Sequence, residues 1–298
     1  MKHLIESSKF NQINEICQKY GIENYTLNGD GSIDVDGDVD LTDRGLSKLP
    51  VEFGIVSGNF YCNSNQLISL EGAPKKVGDG FYCHYNQLTS LEGAPKEVGA
   101  NFYCFNNQLI TLEGAPKEVG DNFDCSNNQL TSLEGAPKEV PGDFDCNNNQ
   151  LTSLRGAPIE VGASFYCYDN QLTSLEGAPW EVGASFYCHN NRLTSLRGAP
   201  GEIGDGFHCD NNQLISLEGS PIRVGGSFHC CDNQLTSLKG APGEIGGSFY
   251  CDNNPLPKLI LDNLDMIKYI IKNQGDYSIW RRDGTLDEFR FREMMQEI

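Results

Sequence analysis

Apolar and polar positions obey one rule along most of this chain. Cysteines stand at Cys62, Cys83, Cys104, Cys125, Cys146, Cys167, Cys188, Cys209, Cys230 and Cys251, each 21 residues after the last. A phenylalanine precedes each by two positions, an asparagine follows by three, and leucines follow by five and eight. Gly-Ala-Pro closes the unit, as at Gly114, Ala115 and Pro116, with Ser220 once in place of alanine. The F-x-C step alternates with period two and predicts a short strand with Phe and Cys on its inner face. One such unit cannot bury its apolar side alone, so the copies must stack and share a continuous core of Phe, Cys, Leu, Leu and Val. The repeated asparagine is then expected to form an internal ladder, bonding backbone groups where the chain leaves the strand, because buried polar groups need partners. Gly and Pro turn the chain back. A unit of 21 residues leaves little room for a returning helix, so extended or polyproline-like segments are expected there.

The two ends depart from the rule. Val39, Leu41, Leu46, Leu49 and Pro50 keep its phase as a degenerate coil, with Leu41 in the cysteine place. Before them, Ile5, Phe10, Ile13, Ile16 and Tyr20 space as one face of an amphipathic helix, with Cys17 in its core. Tyr25 to Val35, around Asn28-Gly29-Asp30-Gly31, reads as a hairpin. After the repeats, Pro255 and Pro257 break the pattern, and Leu259 to Lys272 reads as a helix. Thr285-Leu286-Asp287-Glu288 reads as a capping box opening a last helix through Met295. These ends suit covers over the exposed edges of a stacked sheet.

The core F-x-C-x-x-N-x-L-x-x-L resembles a leucine-rich repeat of the short bacterial type, L-x-V-x-x-N-x-L, with Phe and Cys in the first two apolar places. Similar units occur in secreted bacterial effectors, including Yersinia outer protein M and effector ubiquitin ligases, and in 21-residue-repeat proteins of large bacteriophages and bacteria. The resemblance covers about Gly37 to Asn254. The effectors' L-P-x-L-P turn is replaced here by L-x-G-A-P, and no ligase domain follows the repeats. The implied fold is a β-rich, leucine-rich-repeat-like solenoid. It has about ten coils with a parallel concave sheet, an α/β N-terminal cap and a mainly helical C-terminal cap. The expected divisions are 1–58, 59–254 and 255–298.

Composition narrows the function. The chain of 298 residues carries 22 Lys+Arg against 41 Asp+Glu, a net charge of −19. That argues against binding nucleic acid by phosphate neutralisation. No apolar run is long enough for a membrane span, and the N-terminal stretch lacks the apolar core of a secretory signal. A ladder of thiols without C-x-x-C spacing reads as small buried apolar side chains in a reducing cytosol, not as zinc ligands or disulfides. The expected location is cytoplasmic, in the host cytosol if phage-encoded.

The positions that change from coil to coil are the ones expected to face outward on the concave sheet: one before Phe, one after it, and the two after Cys. Coils one to three offer Tyr61, Tyr82, His84, Tyr85, Tyr103 and Phe105; coils four and five offer Asp124, Ser126, Asp143, Asp145 and Asn147. Coils six and seven offer Tyr166, Tyr168, Asp169, Tyr187 and His189; coils eight to ten offer His208, Asp210, His229, Cys231, Asp232, Tyr250 and Asp252. Two aromatic patches thus flank an acidic stretch. Tyr-rich faces with few long flexible side chains suit protein recognition; Tyr stacked on Tyr across strands also stabilises a sheet without any ligand.

Three smaller features have both a chemical and an ordinary reading. His208, Asp210, His229 and Cys231 fall on one rectangle of the sheet face and offer zinc-type donors, although ordinary polar surface is preferred and no metal or other cofactor is called for. Asp34, Asp36, Asp38 and Asp40 alternate with small and apolar residues but lack the EF-hand pattern, so they read as the wet face of the capping strands. Arg281, Arg282, Arg290 and Arg292 cluster near the C-terminus, where salt bridges within the cap are the plainer reading.

No P-loop, H-E-x-x-H or G-x-S-x-G occurs. The expectation is therefore a non-catalytic solenoid holding a protein partner of basic or mixed surface on its concave face. A phage protein that blocks or scaffolds a host defence protein fits that pattern. Nucleic acid, membrane and small molecules are not expected partners. An acidic decoy mimicking nucleic acid for a basic protein, or a structural assembly component, are the alternatives.

Overall fold

The computed structural model describes residues 2–297, with side chains from Phe10 onward. The chain divides into two compact units, residues 1–149 and 150–298. Each is a length of parallel β-solenoid with a repeat of 21 residues, and each holds five of the ten F-x-C strands.

In the first unit, helix α1 (Lys2–Tyr20) precedes an antiparallel hairpin in which Tyr25–Leu27 pairs with Ile33–Val35. Cys17 and Ile13 of α1 are buried as expected, but Phe10 is 46% exposed, so the apolar face is shorter than the spacing implied. The side chain of Ile5 lies outside the described residues. The degenerate coil is real: Val39–Asp40 pairs in parallel register with Phe60–Tyr61. The sheet continues through Phe81–Tyr82, Phe102–Tyr103, Phe123–Asp124 and Phe144–Asp145. A second parallel sheet runs from Ile33–Val35 through Phe53–Val56, Lys76–Val77 and Glu97–Val98 to Glu118–Val119. The return segment is thus extended, as its length required, and its short strands also pair.

The second unit repeats this construction. Phe165–Tyr166, Phe186–Tyr187, Phe207–His208, Phe228–His229 and Phe249–Tyr250 pair in parallel register. Glu160–Val161, Glu181–Val182, Glu202–Ile203, Arg223–Val224 and Glu244–Ile245 form the other sheet. The predicted helix over 259–272 is broken. It becomes α2 (Lys258–Leu261), a 3₁₀ turn (Leu264–Met266) and α3 (Ile267–Asn273), with Asn263 in a non-helical conformation between them. The last helix, α4 (Glu288–Met295), is capped by Asp287, whose carboxylate accepts the Arg290 N–H; Thr285 instead bonds Asp283. Arg281 and Arg292 pair with Asp287 and Glu288, so ion pairs within the cap are seen.

The core is the same in every coil. Phe and the second-place Cys are buried along both units, with Leu, Leu and the return-strand Val or Ile beside them. Phenylalanine rings stack from coil to coil, as Phe81 on Phe102 at 5.6 Å and Phe207 on Phe228 at 5.3 Å between ring centres. The asparagine ladder is present. Asn86 donates to the carbonyls of Cys62 and Cys83, and its oxygen accepts the Leu67 N–H. Among the described residues the cysteines are free thiols. Burial pushes the thiols of Cys83, Cys104, Cys125, Cys188, Cys209 and Cys230 far above the ordinary range. That suits packing groups, not nucleophiles.

Candidate functional site

The outward face of the F-x-C sheet is built by the residue after each Phe, since Phe and Cys on either side of it point into the core. In-register parallel strands bring equivalent residues about 5 Å apart, so these side chains form columns. In the first unit, Tyr61 stacks on Tyr82 at 4.7 Å, and Tyr82 meets Tyr103 edge-on at 5.4 Å. In the second unit the column is longer. Tyr166, Tyr187, His208, His229 and Tyr250 follow one another at 4.8, 4.5, 4.3 and 4.5 Å between ring centres. The rings are half-buried against one another, except for the more exposed Tyr250 at the end. Cross-strand stacking, the plainer reading of these aromatics, is therefore part of how the face is made.

A second column comes from the residue after each Cys. His84 stacks on Phe105 at 4.4 Å, and Tyr168 on His189 at 4.5 Å. His84 also meets Tyr82, Tyr85 and Tyr103 edge-on. Its Nδ1 is buried without a hydrogen-bond partner, and burial lowers its pKa, so the ring is neutral near pH 7.

The position two after Cys was expected on the strand and is not. Tyr85, Asp169 and Asp232 have φ near +52°, as do most of their counterparts in other coils. The chain has already turned there, and the side chain stands at the corner of the coil. Asn and Asp fill most copies because their short polar side chains tolerate this conformation. Tyr85 is 54% exposed and packs against Phe105.

The acidic stretch also differs from expectation. Asp124 accepts the Ser126 N–H, and Asp145 accepts both the N–H and the side-chain amide of Asn147. Ser126 and Asn147 are thereby buried and offer no free surface. Burial raises the pKa of Asp124 and, with the neighbouring Asp124 carboxylate, lifts that of Asp145 to about 7. The position before Phe is likewise engaged. Asn59 accepts the Gly80 N–H, Asn101 the Asn122 N–H, and Asn122 the Asp143 N–H. These form a second polar ladder along the sheet edge. Asp34 and Asp38 bond the backbone of Ile55 and Asn59 in the next coil, so the aspartates of the cap serve the same purpose.

Of the four grouped donors near the C-terminal coils, three converge. Donor atoms of His208, Asp210 and His229 all lie within 4.8 Å of one another. Cys231 does not join them: its Sγ faces Asp252 at 3.7 Å, while its backbone N–H donates to Asp210. Burial first, then the neighbouring His229, lowers the pKa of His208 to about 4.

No family profile matches the sequence, and no curated protein matches it. A solved structure does. YopM, a leucine-rich effector protein from Yersinia pestis, superposes with a TM-score of 0.54 at 22% identity, over 73% of this chain and 66% of that one. This chain has the leucine-rich-repeat solenoid fold. A second structure, YopM from Yersinia enterocolitica, gives a TM-score of 0.40 at 17% identity over 74% of this chain and 65% of that one. The matched part spans just under two thirds of each YopM chain. No helix among the described residues is long and apolar enough to cross a membrane.

One feature of the leucine-rich repeats escaped the sequence reading. The residue after the Gly-Ala-Pro proline is Lys75, Lys96, Lys117 and Lys138 in the first unit. In the second it becomes Ile159, Trp180, Gly201, Ile222 and Gly243, with Trp180 83% and Ile222 75% exposed. The signal was a change of residue class at a fixed register position, and it places apolar surface away from the aromatic columns.

Proposed function

We propose that the chain is a non-catalytic recognition solenoid that holds a protein partner on the outward face of its F-x-C sheet. The observation that carries this is the ring cluster of the first unit. His84, Tyr85, Tyr103 and Phe105 meet beside Tyr82, Tyr85 stands clear of the sheet, and the buried His84 Nδ1 has no partner of its own. Rigid aromatic side chains already ordered by stacking lose little entropy on binding. The sheet positions carry Asp and His with almost no Lys or Arg, so the partner surface is basic or mixed. The likeness to an effector extends the reading to a host protein as the target, which the chain blocks or scaffolds.

The net charge of −19 favours a second reading, an acidic decoy for a basic protein. Capture from host-like cytosol with wild type beside Tyr82→Ala/Tyr103→Ala, at low and high salt, separates the two. The recognition reading expects a protein recovered with wild type and lost with a variant of unchanged circular dichroism. Equal recovery with both, fading steeply with salt, supports the decoy.

A further inference from the structure

We propose that His208, His229 and Asp210 form a binding site for one divalent transition-metal ion of the zinc type on the sheet face of the second unit. The donors come from two adjacent strands. His208 and His229 are register partners, and Asp210 lies two residues beyond His208 on the same face. Their donor atoms already lie within 4.8 Å of one another. A metal held about 2 Å from each donor brings the donors to roughly 3–3.5 Å apart. The two rings are now stacked with 17° between their planes, so their in-plane lone pairs run side by side, and metal binding turns the rings out of the stack until both lone pairs meet at one ion.

The surroundings favour binding. The Asp210 carboxylate is oriented because one oxygen accepts the Cys231 N–H at 2.9 Å, which leaves its other oxygen for a metal. Two imidazoles and one carboxylate leave a coordination position open, as in a metal site that also takes water or a partner's side chain. This proposal is independent of the recognition reading, since it concerns a metal and not a protein.

The test is a zinc titration of the full chain by calorimetry at neutral pH, with a reductant that does not chelate. The comparison is His208→Tyr/His229→Tyr. Tyrosine occupies the same register position at Tyr187 and Tyr250, so the variant keeps the column and removes the ligands. The proposal expects wild type to bind one more zinc ion per chain than this variant. It also expects Asp210→Asn to weaken that ion by about tenfold or more, and Cys231→Ser to leave it unchanged. Cobalt in place of zinc should give d–d bands without a thiolate charge-transfer band. Equal stoichiometry in wild type and the double variant would overturn it, because weak zinc binding to an acidic surface would then account for everything. A thiolate band would overturn the donor set. Where the double variant fails to fold, unchanged affinity in Asp210→Asn overturns it instead.

Discussion

The side-chain amide of Asn107 reaches back to the carbonyl of Cys83, 24 residues earlier, at 3.1 Å, and also holds the carbonyl of Cys104 in its own coil. Its oxygen accepts the Leu88 N–H. One side chain therefore satisfies buried backbone groups in two successive coils. Asn107→Ala would orphan the Leu88 N–H in a dry core and leave the Cys83 and Cys104 carbonyls with one donor each, from Asn86 and Asn128, and should cost about 1–3 kcal/mol. Urea unfolding of wild type and variant measures it. A loss under about 0.5 kcal/mol would mean that water or a relaxed backbone replaces the ladder.

Glycine at the end of the return strand is required by close approach of the coils. A Cβ on Gly204 would sit 2.0 Å from the carbonyl oxygen of Gly183, whereas one on Gly201 meets nothing within 4 Å. Gly204→Ala should therefore cost about 3 kcal/mol or more, or prevent folding of the second unit. Gly201→Ala should change stability by less than about 1 kcal/mol. Thermal melts of the two variants side by side check the contrast; similar melting temperatures would contradict the packing of Gly183 on Gly204.

The core was legible from sequence because its chemistry recurs at a fixed register. Phe, Cys, Asn and Leu at 21-residue spacing can only be inward if the coils stack in register. The face was less legible because alternation was carried one residue too far. Tyr85 and Asp169 lie beyond the strand, at a positive φ that the Asn of Asn106, Asn127 and Asn148 already signalled. Ser126 and Asn147 looked free but are drawn in by Asp124 and Asp145, a side-chain-to-backbone choice that residue type alone leaves open. Cys231 shares a face with Asp210, yet its sulfur turns to Asp252, a rotamer preference that spacing cannot express.

Asp145 should make the first unit more stable in mild acid. Its folded pKa of about 7 stands above the ordinary 3.8, because it is buried beside Asp124. Between those values the folded chain keeps a proton that the unfolded chain has lost, so stability falls as pH rises through this window. Below it both states are protonated and the penalty vanishes. Asp145→Asn removes the titration while its side-chain oxygen can still accept the Asn147 N–H. The variant should match wild type near pH 4 and exceed it by about 2 kcal/mol near pH 8, after discount for partial exposure. Parallel stability profiles for the two proteins across this range would refute the assignment.

The thiols should report the burial pattern directly. Of the 12 cysteines, Cys231 alone is not buried, and burial followed by the nearby acidic groups raises its pKa to about 11. Only thiolate reacts with an alkylating reagent. Folded protein should therefore lose one thiol per chain to a maleimide, slowly at pH 7 and about tenfold faster for each pH unit toward pH 10. Cys231→Ser should abolish that reaction, and denaturant should expose all the remaining thiols. Mass spectrometry of the labelled protein counts them. Fast labelling of two or more cysteines in the folded chain would mean that coils open around the ladder, and the Phe–Cys core would not be the closed stack described above.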